Sequence, residues 1–440
     1  MVSSPPILQR LSQASTSFDA LKVAPRSAGP VRIAYRRSTM NNASPEFSSL
    51  SSTQAAQRLL PLVAIVLTGF LAVGLPLPAL PLYVNGRLGF SPLVVGWVIG
   101  LQPLATILTR KFAGAYVDRH GPRQAVMLGL PMAMGAGSLY AASALIPHPT
   151  ASLGALVVGR VLMGPAESLF LTGTMTWGIG RIGPQRTGLV MSWQGIAMFA
   201  ALGLGAPLGI GIMQRLDFLA VSLATMAFPM AGLVVASRVP GVPVLGGKRK
   251  HVPFLRIIAL IWRQGAALSL ASAPFAVLTA FVVLYFADRG WDGAGLALTG
   301  FAAGYILVRL FLGKLPDQLG GRQVALVSLV VEALGQGLLW IAPDPVFALA
   351  GATLTGLGFS LVFPSMGVEA MRRVPAQSRG VAVGGFLAFV DVTAAVTGPL
   401  AGLLIGALGY RSAFLAGLAA CVASAALIAF GMGGGDRSQT

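Results

Sequence analysis

Arg110-Lys-Phe-Ala-Gly114-Ala-Tyr-Val-Asp118-Arg119-His-Gly121-Pro-Arg123-Gln124 returns 199 residues later as Arg309-Leu-Phe-Leu-Gly313-Lys-Leu-Pro-Asp317-Gln-Leu-Gly320-Gly-Arg322-Gln323. Arg, Gly, Asp, Gly, Arg and Gln hold matching places in both copies. Each copy closes one apolar run and opens the next. Six matches in register at equivalent junctions make the chain a tandem of two related halves, the kind of internal repeat from which membrane carriers are built.

Working outward from the motif, apolar stretches of about 20 residues recur, the length a helix needs to cross about 30 Å of hydrocarbon. They cover 59–82, 91–114, 124–145, 151–176, 187–212, 217–238, 261–286, 293–314, 322–342, 345–371, 377–406 and 410–432. None shows strand alternation, so the expectation is an all-α membrane protein with twelve transmembrane helices. Residues 239–260 hold Pro240, Gly241, Pro243, Gly246, Gly247 and the run Lys248-Arg249-Lys250. They read as a linker between six-helix bundles at 59–238 and 261–432, with a short tail at 433–440. Residues 1–58 are Ser- and Arg-rich and contain only Asp19 and Glu46 as acids. Two readings of that segment stand: an organellar-type leader, or the blander one of a disordered tail or of an upstream start codon with Met40 as the real start.

Composition excludes the main soluble classes. Of the 440 residues 55% are hydrophobic and 10% charged, with a mean hydropathy of +0.78; soluble domains carry about 25% charge. The net charge of +18 could suggest nucleic acid, but no basic run is interleaved with aromatics. One cysteine and three histidines in polar stretches leave no donor set for a metal site. No phosphate-binding Gly-Lys-Ser/Thr loop and no Ser/His/Asp constellation occur, so neither enzyme activity nor a cofactor is expected. The partners expected are lipid, a small-molecule substrate and protons, with the chain acting as a monomer.

Placing the N-terminus in the cytoplasm puts 26 Lys and Arg on that face or at its helix ends and four on the other: Arg87, Arg215, Arg289 and Arg411. That asymmetry predicts both termini and the linker inside.

The motif resembles the signature between the second and third helices of the major facilitator superfamily, Gly-x-Leu-Ala-Asp-Arg-x-Gly-Arg-Lys. Here it reads Gly114-Ala-Tyr116-Val117-Asp118-Arg119-His-Gly121-Pro122-Arg123, keeping Gly, Asp, Arg and the second Gly. The resemblance implies a 6+6 pseudo-symmetric transporter fold over 59–432. Val73–Leu82, Glu167–Gly178 and Phe363–Glu369 are similar to the YfcJ/YhhS-like, arabinose-efflux-type branch, which implies location in a bacterial inner membrane. By that resemblance Asp118 would face the helix starting near 377–380, and Asp317 the helix starting near 186–188. Gly114 and Gly313 would let backbones approach. Arg119, Arg123 and Arg322 would tie the loops to acidic or carbonyl partners. Together with Gly121 and Gly320 these residues would form a two-state latch.

Four ionisable residues fall inside apolar runs: Arg160 and Glu167 in the fourth, Glu332 in the ninth and Asp391 in the eleventh. Each costs about 2.5–3.5 kcal/mol at a helix centre on insertion scales, so each calls for a partner or a wet cavity. Arg160 lies in Leu156-Val-Val-Gly-Arg160-Val-Leu-Met-Gly164, similar to the family's helix-four signature with Met163 in place of Gln. In proton-coupled members that arginine is implicated in proton transfer. Glu167 follows two turns later, about 10.5 Å along the axis, too far for an easy direct pair with Arg160. Burial and a nearby arginine act oppositely on a carboxyl's proton affinity. That makes Glu167 and Asp391 the candidate proton carriers with Arg160 modulating, whereas Glu332 reads as a packing partner for a polar neighbour. Thr172, Thr174, Trp177, Trp193, Gln194 and Tyr285 are the candidates for substrate contact. The function expected is proton-driven export of a sugar or drug-like solute by alternating access. Uptake by symport or uniport, and a non-transporting receptor, remain the alternatives.

Overall fold

The computed structural model describes residues 51–183, 186–242, 254–374 and 379–431, with the side chains of 52, 254, 255, 257, 317 and 379–384 outside that description. Among the described residues, twelve helices are long and apolar enough to cross a membrane. α1 is built from Ser52–Gly74, Pro76–Pro81 and a π-helical turn Leu82–Arg87. The others are α2 Pro92–His120, α3 Pro122–Leu145, α4 Pro149–Ile182, α5 Thr187–Arg215 and α6 Phe218–Arg238. Then come α7 Phe254–Asp288, α8 Ala294–Leu312, α9 Gly321–Ile341, α10 Pro345–Arg372, α11 Arg379–Leu408 and α12 Tyr410–Gly431.

Local chemistry sets these boundaries. Proline opens α2, α3, α4 and α10, where its missing N–H costs nothing. Asp217 and Asp344 cap α6 and α10 by accepting backbone N–H groups. α1 begins at Ser52, inside the stretch read as tail, because Ser51 and Gln54 form a reciprocal capping box. Pro76, Pro78 and Pro81 remove three donors within six residues, and α1 is segmented there. The repeated Gly121 and Gly320 sit at φ of +93° and +90°, a conformation that side-chain-bearing residues resist. Residues 243–253 of the central connection lie outside the described residues.

The repeat also appears in the outer surface. Phe112 and Phe311, 199 apart, are 71% and 78% exposed, as befits side chains that meet lipid. Inward, α2 packs on α4 and α11, and α8 packs on α10 and α5, so each helix of the pair bridges the two six-helix sets. At the end carrying Gly89 and Gly409, the buried core is continuous across both sets, from Leu80, Tyr83 and Val98 to Phe281, Leu298 and Ile405. At the end carrying Gly121 and Gly320 it divides. Leu59, Leu62, Phe170 and Trp177 form one core, and Ile261, Leu268, Met366 and Phe386 another. The two sets are joined at one end and separately packed at the other.

Candidate functional site

Pro103 cannot donate to the Ile99 carbonyl, which leaves a gap in the α2 ladder. Arg160, almost wholly buried on α4, fills it: Nη2 donates to Ile99 O at 3.0 Å and Nε to Val98 O at 3.0 Å. Arg160 therefore clamps α4 to α2. It does not pair with Glu167, in keeping with the two-turn separation.

One turn along α2, Gln102 Nε2 donates to Glu167 Oε2 at 2.8 Å, and Thr106 Oγ1 lies 3.4 Å from the same oxygen. Ser168 Oγ donates to Thr106 O at 3.0 Å and fixes the register of the two helices. A further turn on, Arg110 Nη2 meets Asp391 Oδ2 of α11 at 2.6 Å. Their side chains are 28% and 18% exposed, so the pair is neither sealed nor fully wet. Arg110 lies within electrostatic range of Glu167 as well, and Glu167 within range of Asp391. The three charges and Gln102 thus form one cluster on α2, α4 and α11. Beside it α2 and α11 approach backbone to backbone: a Cβ on Gly96 would collide with Gly398, and one on Gly100 would meet Ala395 O. Pro399 has no N–H for Ala395 O, so that carbonyl is free to face Gly100.

A model of the Major Facilitator Superfamily matches residues 62–295 and 292–437. An uncharacterized MFS-type transporter of Salmonella typhimurium LT2 is 42% identical over 368 residues, covering 83% of this chain and 94% of that one. Another from Burkholderia mallei SAVP1 is 39% identical over 381 residues, covering 86% and 93%. The chain belongs to the major facilitator superfamily. Solved members of the superfamily share the fold. The nucleoside transporter NupG has a TM-score of 0.65 at 16% identity over 84% of this chain and 98% of its own. A bacterial homologue of the human lysosomal transporter Spinster has 0.69 at 12% identity over 86% and 97%. The protein is an integral membrane transporter of the superfamily and not an enzyme.

The residues of the superfamily signature divide between the contacts expected of them and others. Arg123 Nη2 donates to Ser237 O at 2.9 Å, and its repeat mate Arg322 Nη2 to Ala429 O at 2.7 Å. Each loop is tied to the last turn of the sixth helix of its own set. Asp118 and Arg119 are exposed, and no ion pair reaches either among the described residues. Of the helix start near 377–380 expected to face Asp118, residues 377–378 and the side chains of 379–380 lie outside the described residues, as does the Asp317 side chain. Gly114 corrects its expectation: a Cβ there would meet nothing within 4 Å. Gly313 would clash only with the Arg309 carbonyl of its own helix end. Close approach is the work of Gly96, Gly100, Gly398 and Gly402 instead.

The substrate candidates also divide. Trp177 is fully buried and donates from Nε1 to Pro240 O at 2.9 Å, which pins α4 to the chain after α6. Tyr285 is buried at the Gly89 end, donating to Leu339 O at 3.1 Å. Both are fixtures of packing. Thr174 bonds back to Phe170 O of its own helix. Gln194 donates to Leu171 O, and with Trp193 and Thr174 it borders a narrow crevice against Leu59, Leu62 and Val190. Thr172 is half-buried. Glu332 corrects its reading: it is fully buried and neither oxygen has a hydrogen-bond partner. The sequence alone does not mark Arg110 as a charge inside the membrane, because its partner is 281 positions away. The one available signal was an arginine closing an apolar run in both repeats.

Proposed function

We propose that this superfamily member couples transport of a small organic solute to proton movement, exporting it across a bacterial inner membrane as a monomer. Both termini would face the cytoplasm, as the Lys and Arg asymmetry supports. The observation that carries the reading is the Arg110–Asp391 pair at 2.6 Å, placed where α2 of the first set meets α11 of the second. The pair holds only while Asp391 is ionised. A proton on Asp391 removes its attraction for Arg110 and loosens the α2–α11 contact, while Glu167, on Gln102 and Thr106, is the adjoining acceptor. That links a titration to the contact which must open and close in alternating access. The export direction rests on the resemblance to efflux-type permeases.

The test uses purified protein in liposomes loaded with a pH-reporting dye. With an imposed pH gradient, added sugars, drug-like compounds and organic acids are screened for solute-dependent proton flow. Such flow is expected in the wild type and absent in Asp391→Asn and Glu167→Gln. Solute flux that ignores collapse of the gradient would refute the coupling. Flux with the same sign as proton flow would make the protein a symporter.

A further inference from the structure

The repeat allows each residue of the charged cluster to be compared with its mate. Across the first three helices of each set the offset is 199, which pairs Gln102, Thr106 and Arg110 with Phe301, Tyr305 and Arg309. Across the last three it is 192. Ser168 Oγ donates to Thr106 O, and Ser360 Oγ donates to Tyr305 O at 2.8 Å. Ala395 faces Gly100, and Gly203 O accepts from Thr299 Oγ1 at 2.7 Å. In that register Glu167 corresponds to Phe359 and Asp391 to Phe199. The arginine is kept in both sets, and both carboxylates are replaced by phenylalanine.

The result is a box of rings from α5, α7, α8 and α10. Phe199 stacks on Tyr305 with centroids 3.7 Å apart. Phe275 stacks on Phe301 at 4.9 Å and lies parallel to Phe359 at 5.8 Å. Arg309 sits 5.4 Å over the Tyr305 ring, and its Nη2 donates to the Tyr305 hydroxyl at 3.0 Å. Its Nε is buried without a partner, and no carboxylate pairs with it among the described residues. Phe199 and Phe275 are half-buried, and Phe199 belongs to the opposite six-helix set from the other four rings. Separation of α5 from α8 therefore uncovers a ring face directly beside a cation that has no carboxylate partner among the described residues.

We infer that this box is the substrate subsite for a planar aromatic anion. The ring replaces Phe199 on Tyr305 and Phe275, and the oxyanion bridges to Arg309. A half-buried arginine with no carboxylate partner among the described residues gains from an incoming carboxylate or sulfonate, which it can meet with bidentate geometry. Aromatic faces add stacking that a sugar or an aliphatic acid would forfeit. The inference names a substrate class for the transporter proposed above and rests on that reading.

Equilibrium binding to purified protein in detergent tests it without any gradient. Titration calorimetry uses 2-naphthoate, 2-naphthamide, 2-naphthylmethylammonium and the saturated decalin-2-carboxylate. Naphthoate is expected to bind at least about tenfold tighter than each of the others, the discrimination of one charge-assisted contact. Arg309→Gln should cost naphthoate about tenfold and leave the amide unchanged, with Arg309→Lys between them. Equal affinity for the anion, amide and ammonium overturns the inference, as does no naphthoate binding by monodisperse wild-type protein. The wild-type comparison needs no variant, so misfolding of Arg309→Gln does not protect the idea. Failure here leaves the pH-gradient experiment standing, and failure of that experiment leaves this one standing.

Discussion

The α2–α4–α11 junction and the α8–α10–α5 junction share a skeleton and differ in what surrounds the arginine. Both have a proline-freed carbonyl at the crossing, a serine hydroxyl fixing the adjacent register, and an arginine one turn below. One junction then places Glu167 and Asp391 around its arginine, and the other places Phe359 and Phe199. Symmetry explains the scaffold. Work that has a direction requires the two sides to differ, and the residues to watch are those where the repeat breaks.

The largest effect expected is at the crossing itself. In Gly96→Leu the first carbon of the new side chain meets the Gly398 backbone, which no rotamer avoids. Overpacking of this kind costs about 1–3 kcal/mol or more. Little monodisperse protein should survive size exclusion. Gly295→Leu meets Pro207 at 2.9 Å and should lower the melting temperature less. If the two melt alike, the crossings are not distinguished by their tightness.

Next in size is the ion pair. A double-mutant cycle of Arg110→Gln and Asp391→Asn should show a coupling of about 0.5–3 kcal/mol, the range for residues in direct contact. The coupling needs the Asp391 carboxylate ionised. It is therefore full at high pH and decays as pH falls through the titration of Asp391. The equivalent cycle of Arg309→Gln and Phe199→Leu contains no acid. Its coupling, about 0.5–2 kcal/mol of ring and cation contact, should be flat over the same pH range. Stability measured at a series of pH values separates the two. Parallel curves would mean that the charged cluster is not the proton-sensitive side.

The architecture was readable in the chain because it rests on local signals: run length, proline at helix starts, the repeated glycine turn and the Arg, Gly, Asp matches. Arg160 and Glu167 could be picked out because a charge inside an apolar run is conspicuous on its own. Their partners could not, since Val98, Ile99 and Gln102 lie on another helix and two of the three contribute only a backbone carbonyl. Trp177 and Tyr285 looked like cavity residues because a polar aromatic in a span suggests a ligand; their polar tips meet carbonyls of neighbouring segments. The ring box was hidden for the opposite reason. Phe199, Phe275, Phe301 and Phe359 are ordinary residues for a lipid-facing helix, and only the register between repeats marks Phe199, Phe359 and Phe301 as replacements for two acids and an amide.

A smaller effect concerns the carbonyl that Pro207 leaves without a donor. Gly203 O is satisfied by Thr299 Oγ1 at 2.7 Å, and Gly203 is buried. Thr299→Val keeps the shape and removes the donor; because Thr299 itself is half-buried, the unmet acceptor should cost the low end of the usual range, about 1 kcal/mol. That should exceed the effect of Thr174→Val, whose hydroxyl only returns to a carbonyl already bonded within its own helix. Chemical-denaturation midpoints of the two variants would rank them, and the reverse order would mean that Gly203 O finds another donor.

The smallest effect is the most symmetric one. Arg123 and Arg322 each reach the last turn of the sixth helix in their set, with donor distances of 2.9 and 2.7 Å. These contacts lie at the exposed ends of their helices, where water competes for both donor and acceptor, so each should be worth about 0.5 kcal/mol at most. Arg123→Gln and Arg322→Gln should therefore lower stability slightly and equally, and the double variant should be additive, since the sites share no partner. A cost at Arg123 well above that at Arg322 would place an asymmetry in the loops as well as in the membrane. The comparison between the two junctions would then have to extend to the motif from which the repeat was first read.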